Sequence, residues 1–235
     1  MNATATPPIL LLPLAAAALF AFAPAASALD FSGSATATSD YVFRGISQTR
    51  GDATPQLGVK LASDTGFYGS LWASRVDYGD ALGSDAELDL VAGWNRTFAE
   101  RWNLDLNLTR FTYPGTRATA DLDYNEVIAT LTLDQRWWAM LGWSENALAS
   151  GERGVYAEVG AKFPVTDAFR FETVAAHYDL EDAYGDSYSR AQVSAIYTIG
   201  KVDLRASGHW TSDSARRLFP GVAGSRFEAA VSWNF

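Results

Sequence analysis

The chain has 235 residues with 18 Lys and Arg, 27 Asp and Glu, two His and no Cys, and its aromatic complement is 8 Trp, 10 Tyr and 13 Phe. The missing cysteine excludes a disulfide framework, a thiolate metal site, an iron–sulfur cluster and a cysteine nucleophile, and a net charge of −9 opposes nucleic acid as a partner, because counterion release needs a basic surface. An apolar fraction of 48% excludes disorder over most of the length.

Residues 1–28 are expected to be a signal peptide. Ile9 to Ala28 is uncharged and rich in Leu and Ala, ends in the small-x-small pattern Ala26-Ser27-Ala28 that a signal peptidase reads, and precedes the first charge, Asp30. Twenty apolar residues also suffice for a membrane anchor, but Pro13 and Pro24 interrupt this run. Met1 to Pro8 departs from the usual signal in carrying no Lys or Arg. No later stretch holds 18 consecutive apolar residues, which is too little for a membrane-spanning helix.

From Leu29 onward one pattern repeats: segments of about ten residues alternate apolar and polar at period two, separated by turn residues. Leu88, Leu90, Ala92 and Trp94 alternate with Glu87, Asp89, Gly93 and Asn95; Trp102, Leu104, Leu106 and Leu108 alternate with Asn103, Asp105, Asn107 and Thr109. Val155, Ala157, Val159, Ala161 and Phe163 form a third apolar face, and Phe227, Ala229, Val231, Trp233 and Phe235 a fourth. Twelve strands follow, at 31–44, 55–63, 66–77, 86–97, 101–112, 122–133, 136–147, 154–163, 168–179, 188–198, 202–211 and 225–235. Their connections alternate short and long. Soluble sandwiches use strands of about five to six residues, whereas a tilted strand crossing a bilayer needs about nine to eleven. The predicted fold is therefore all-β: one antiparallel, up-and-down transmembrane β-barrel of twelve strands at 29–235, closed because hydrocarbon leaves no backbone group unpaired. Aromatics near the strand ends are expected to form two interfacial girdles, Phe31, Phe67, Trp102, Trp137, Phe163, Phe169, Tyr197 and Trp233 toward the short turns, and Tyr41, Phe43, Tyr78, Phe111, Tyr113, Tyr178, Tyr188 and Trp210 toward the loops.

The segment Ser39-Asp40-Tyr41-Val42-Phe43-Arg44-Gly45-Ile46-Ser47-Gln48-Thr49 resembles the opening signature of the TorF-type porins, a proteobacterial outer-membrane family long filed as conserved hypothetical proteins. The likeness continues more loosely through Gly66-Phe67-Tyr68, Trp72-Ala73-Ser74 and Glu87-Leu88-Asp89-Leu90. It implies an outer-membrane location in a Gram-negative bacterium and a channel role, and it supplies no substrate. The terminal Trp233-Asn234-Phe235 resembles the signal by which such barrels reach their assembly machinery, so that machinery is an expected partner through Phe235, alongside outer-membrane lipid and lipopolysaccharide.

Extending the alternation turns Asp40, Glu87, Asp89, Asp105, Glu126, Glu158, Glu172, Asp203 and Glu228 inward, against Arg44, Lys60, Arg101, Arg136, Lys162, Arg170, Arg190, Arg205 and Arg226. That is nine acids and nine bases, so the acidic excess falls to loop residues such as Asp80, Asp85, Asp121, Glu152, Asp179, Glu181, Asp182 and Asp186. A balanced lumen below an acidic mouth predicts a narrow pore for small hydrophilic solutes, mildly favouring cations. The alternatives are a non-conducting structural or surface-interaction barrel and a lipid-modifying hydrolase. Asp40 and Arg44 are expected near the upper end of the first strand, as a constriction or loop anchor, or as an ion pair closing strand one against strand two or twelve. Every connection is too short for an obvious lumenal plug, and the 212–224 loop, with Arg216, Arg217, Leu218, Phe219 and Pro220, is the one that could fold inward as a constriction.

No cofactor is expected. Glu181, Asp182 and Asp186 share a loop but lack the glycine pattern of a calcium site. A hydrolase needs a base within reach of its nucleophile. Only His177 and His209 are available, and Ser207 sits two residues from His209, roughly 7 Å along a strand. No G-x-S-x-G is present.

Overall fold

The structure, a computed structural model, describes residues 29–117 and 120–235. The expected signal peptide lies outside the described residues. Strand β1 (Leu29–Thr38) is followed by the two-residue pair β2 (Val42–Phe43) and β3 (Ile46–Ser47), then by β4 (Thr54–Ser63), β5 (Phe67–Arg75), β6 (Ala86–Phe98), β7 (Trp102–Thr112) and β8 (Tyr124–Leu133). The chain continues through β9 (Trp137–Ser144), β10 (Gly154–Pro164), β11 (Phe169–Asp179), helix α1 (Glu181–Tyr184), β12 (Tyr188–Ile199), β13 (Val202–Thr211), helix α2 (Asp213–Leu218) and β14 (Arg226–Asn234).

All strands except β2 and β3 form one closed antiparallel barrel, each beside its sequence neighbours, with β1 lying between β4 and β14. The ring has twelve members, as the periodicity predicts. Closure runs through Ser34 opposite Asn234 and Thr38 opposite Ala230, and through a reciprocal pair of 3.0 Å backbone bonds between Gly33 and Phe235. The terminal aromatic therefore continues the seam.

Polarity is reversed relative to a water-soluble protein, and this settles which solvent the barrel faces. Leu57, Leu61, Leu71, Leu90, Leu106, Leu108, Val127, Leu131, Leu141, Val159, Val193, Leu204 and Val231 are exposed, while Glu87, Glu126, Ser194, Ser207, His209 and Glu228 are buried. Such a surface is stable against acyl chains, with every backbone group paired between strands. Strands of 8 to 13 residues match the thickness to be crossed.

The short connections sit together at the end that carries the termini. Ala99 and Glu100 both have positive φ, as do Asp134 and Gln135, which is the geometry of two-residue hairpin turns of the I′ kind. Phe31, Phe67, Phe98, Trp102, Trp137, Tyr197 and Trp233 are exposed around this end, giving one girdle where it is predicted.

Two expectations need correction. The first strand ends at Thr38, not at 44, and residues 39–53 leave the wall altogether. The second girdle is mostly absent: Tyr41, Phe111, Tyr113, Tyr178 and Tyr188 are buried, and of the aromatics assigned to that girdle only Trp210 is exposed, joined on the outer face by Trp143 and Phe227. The reason is shared. At the loop end the apolar rings cover an internal element that the strand pattern does not announce.

Candidate functional site

That element is the hairpin β2–β3, which folds back into the mouth of the barrel. Val42 pairs with Ser47 and Phe43 with Ile46, and the two residues between them, Arg44 and Gly45, both have positive φ, 49° and 85°. Glycine at 45 is required twice over, by its backbone conformation and because a Cβ there would meet Thr211 Cγ2 at 2.7 Å. Arg44 tolerates the left-handed region only at a cost of roughly 1–2 kcal/mol, which its contacts offset.

The base of the hairpin hangs on Asp40. Its carboxylate accepts bonds from Ser47 Oγ at 2.5 Å, Thr49 Oγ1 at 3.0 Å and the Arg226 guanidinium on β14 at 2.6 Å. At the tip, Arg44 makes a two-pronged bond to Glu126 on β8, with Nη1 to Oε2 at 3.0 Å and Nη2 to Oε1. The guanidinium carbon lies 4.0 Å from the centroid of the Tyr156 ring on β10 and 5.0 Å from that of Tyr178 on β11, while Tyr188 on β12 donates its hydroxyl to the Arg44 carbonyl at 3.1 Å. Gly142 on β9 leaves the space: a Cβ there would sit 2.0 Å from Glu126 Oε1. Strands β8 and β14 are sixth and twelfth around the ring, so the hairpin spans the lumen along a diameter.

Two apolar clusters hold it in place. Ile46 packs with Ala147, Tyr156, Tyr178, Leu180, Tyr188 and Ala215, joined by Leu218 at the end of α2 and by Phe219, Val222 and Ala223 from the connection after it. On the other side Tyr41 packs with Val76, Phe111, Tyr113 and Tyr124, joined by Phe43 and Trp72. The connection that enters the lumen is 39–53, against the expectation that none is long enough to plug it, and the 212–224 loop is not a constriction but a cover on the hairpin, to which Val222 contributes a carbonyl for the Ser47 N–H at 2.9 Å.

Below the hairpin the charges run along the wall. Arg190 binds Glu158 at 2.5 Å and the Tyr156 hydroxyl at 2.7 Å; Arg205 and His209 both reach Glu228, at 2.6 and 3.0 Å; Arg170 lies between Glu172 at 2.9 Å and Asp203 at 3.6 Å. Across the lumen, Lys60 stands 3.6 Å over the Tyr68 ring, and Asp105 accepts bonds from Tyr68, Asn95 and Asn107. Lys162 is exposed at the short-turn end of β10. Glu87 is 1% exposed and accepts a bond from the Tyr113 hydroxyl at 3.0 Å, but its Oε2 and the Asp89 Oδ1 find no hydrogen-bond partner among the described residues. Arg101 and Arg136 are corrected: both lie in short turns, Arg101 paired with Asp134 at 2.5 Å and Arg136 donating to the Lys162 carbonyl. The Arg101 contact holds the Asp134 carboxyl below its usual range.

Over residues 22–218 the sequence matches the model of a family described as a bacterial protein of unknown function, Gcw_chp. The chain belongs to the Gcw_chp family. No curated protein matches its sequence. Among solved structures this Gcw_chp barrel is similar to the KdgM porin, with a TM-score of 0.56 at 8% identity over 87% of this chain and 99% of that one, and to the NanC porin, with a TM-score of 0.56 at 9% identity over 88% and 99%. A second KdgM structure, in complex with disordered oligogalacturonate, gives 0.54 at 8% identity over 87% and 98%. At such identities the likeness is one of fold.

The charge pattern names Arg44 and Glu126 separately and misses what surrounds them in the Gcw_chp mouth. Tyr156 stands opposite Tyr178, and Tyr178 opposite Tyr188, in one row across three strands. Each is an inward residue by alternation, so the signal was present in the sequence. The strand registers that align them were not.

Proposed function

We propose that the protein is a porin-like channel of the Gram-negative outer membrane, passing small hydrophilic solutes, with its outer mouth occupied by the β2–β3 hairpin in the conformation described. The observation that carries this is the inverted polarity: a closed twelve-strand cylinder with an apolar outside and an interior lined by Arg190, Glu158, Arg205, Glu228, Arg170 and Asp105. A polar, charged interior holds a water column. The fold likeness to two porins and the resemblance to the TorF-type family point the same way, and neither supplies a solute or a reaction. Lipopolysaccharide around the rim and assembly through Phe235 belong to the same reading.

The hairpin also supports a second reading, a non-conducting barrel, because it bridges opposite walls. Planar-bilayer recordings of the refolded protein beside a variant with residues 41–49 replaced by a short Gly/Ser linker separate the two. Brief, small openings in the native protein and large, sustained ones in the variant are expected; silence from both overturns the channel.

A further inference from the structure

We infer that the pocket formed by Glu126, Tyr156 and Tyr178 is the channel's recognition site for a guanidinium-bearing solute, and that Arg44 is its tethered occupant. This rests on the channel reading and names the solute class. A carboxylate engaging a guanidinium by two parallel bonds, with aromatic rings facing the cation, selects a flat, delocalised positive charge over a compact one. The pocket is built for that group: Glu126 is 2% exposed and Tyr156 1%, and Gly142 contributes an empty wall where any side chain would displace the carboxylate.

The occupant is attached through a backbone it strains. Arg44 is one of two left-handed residues at the hairpin tip, whereas the base is secured independently by Asp40, Ser47, Thr49 and Arg226. The tip yields while the base holds by giving up the Tyr188 bond to the Arg44 carbonyl as well as the fork to Glu126, and release of Arg44 relaxes its backbone. A free guanidinium solute, binding without that strain, competes on favourable terms. The field outside favours its arrival: the rim beside the hairpin holds a cleft of about 710 Å3 lined by Asp52, Asp77, Asp80 and Asp85 together with Arg75 and Arg117. Beyond the pocket the next carboxylate is Glu158, which shares the Tyr156 side chain through a 2.6 Å bond to its hydroxyl.

The test compares L-arginine with L-citrulline, its neutral isostere, on protein in planar bilayers and on detergent-solubilised protein heated to unfolding. With the native protein, arginine added at the loop side raises open probability and citrulline does not. In Arg44→Ala the channel is open from the start, arginine now interrupts the current by filling the vacated pocket, and it raises the melting temperature; adding Glu126→Gln weakens both effects roughly tenfold or more. Arg44→Lys, which keeps the charge and loses the fork, serves if the alanine variant fails to fold, and is expected to open at lower arginine concentrations than the native protein. Currents in which arginine and citrulline act alike overturn the recognition site and leave the channel standing. If neither native nor variant protein conducts, the channel reading fails, and the melting shift alone decides the pocket: an arginine shift lost with Glu126→Gln upholds it, and no shift overturns it.

Discussion

Two carboxylates, Glu126 on β8 and Glu87 on β6, face the mouth hairpin from neighbouring parts of the wall and are buried to the same degree, at 2% and 1% exposure. Glu126 has a guanidinium bound by both oxygens. Glu87 has a tyrosine hydroxyl on one oxygen and, among the described residues, no hydrogen-bond partner on the other, with Asp89 two residues along the same face. Burial of a charge is costly unless it is paired, so the two sites make opposite contributions despite equal exposure. At its tip the hairpin is held by one ionic contact, Arg44 to Glu126, at the far end of a diameter from the Asp40–Arg226 pair at its base.

The largest effect should come from removing the paired carboxylate. Glu126→Ala strands Arg44 in an apolar cage, and breaking one partner of such a pair costs about 3–5 kcal/mol. Urea unfolding of the refolded barrel should show it, and Arg44→Met in the same chain should recover much of the loss. A double variant as unstable as the sum of the singles would show that the pair is not the anchor. Next comes Gly142→Ala, whose Cβ would lie 2.0 Å from Glu126 Oε1. Moving the carboxylate off Arg44 should cost about 1–3 kcal/mol, read in the same unfolding experiment, and should lengthen channel openings.

Glu87→Gln sharpens the contrast from the other side. The amide keeps the shape and the bond to Tyr113 and removes a carboxylate that has no salt-bridge partner among the described residues, so the unfolding midpoint should hold or rise. A loss above about 1 kcal/mol, the usual scale of a damaging substitution, would mean that Glu87 carries an ionic partner after all.

The cylinder was legible in the sequence because alternation over ten residues leaves few other solutions, and strand ends such as 202–211 coincide with β13. Residues 39–53 were not legible for a physical reason. Asp40 and Arg44 share the parity of Thr38, with Tyr41 and Phe43 on the other, so the segment reads as a continuation of the strand beyond the point where the chain leaves the wall. The turn at Arg44-Gly45 shows in composition only as a glycine. Likewise Tyr178 and Tyr188 sit at strand ends, where a girdle wants them, although alternation turns them inward with Glu172 and Arg190, and they are buried beside the hairpin. Asp40 illustrates both halves of the lesson: its partner Arg226 does lie on the last strand, as an ion pair closing strand one against twelve requires, but the aspartate reaches it from the hairpin base.

The smallest effect tests whether ionic contacts matter by kind or by place. Asp186 in the loop after α1 meets Arg217 of α2 at 2.9 Å, the same chemical pair as at the tip, but with side chains 40% and 66% exposed. The Arg217 bond, helped by the Ser187 N–H, holds the Asp186 carboxyl below its usual range. A carboxyl lowered on folding stabilises above its unfolded value and loses that contribution as pH falls through the folded one. Asp186→Asn should therefore unfold slightly earlier than the native protein at pH 7, and the difference should fade below about pH 4. Solvent screens such pairs, so the gap should also close in high salt, whereas the gap produced by Glu126→Ala should persist. Equal salt sensitivity at the two sites would remove the distinction between a rim contact and a buried anchor.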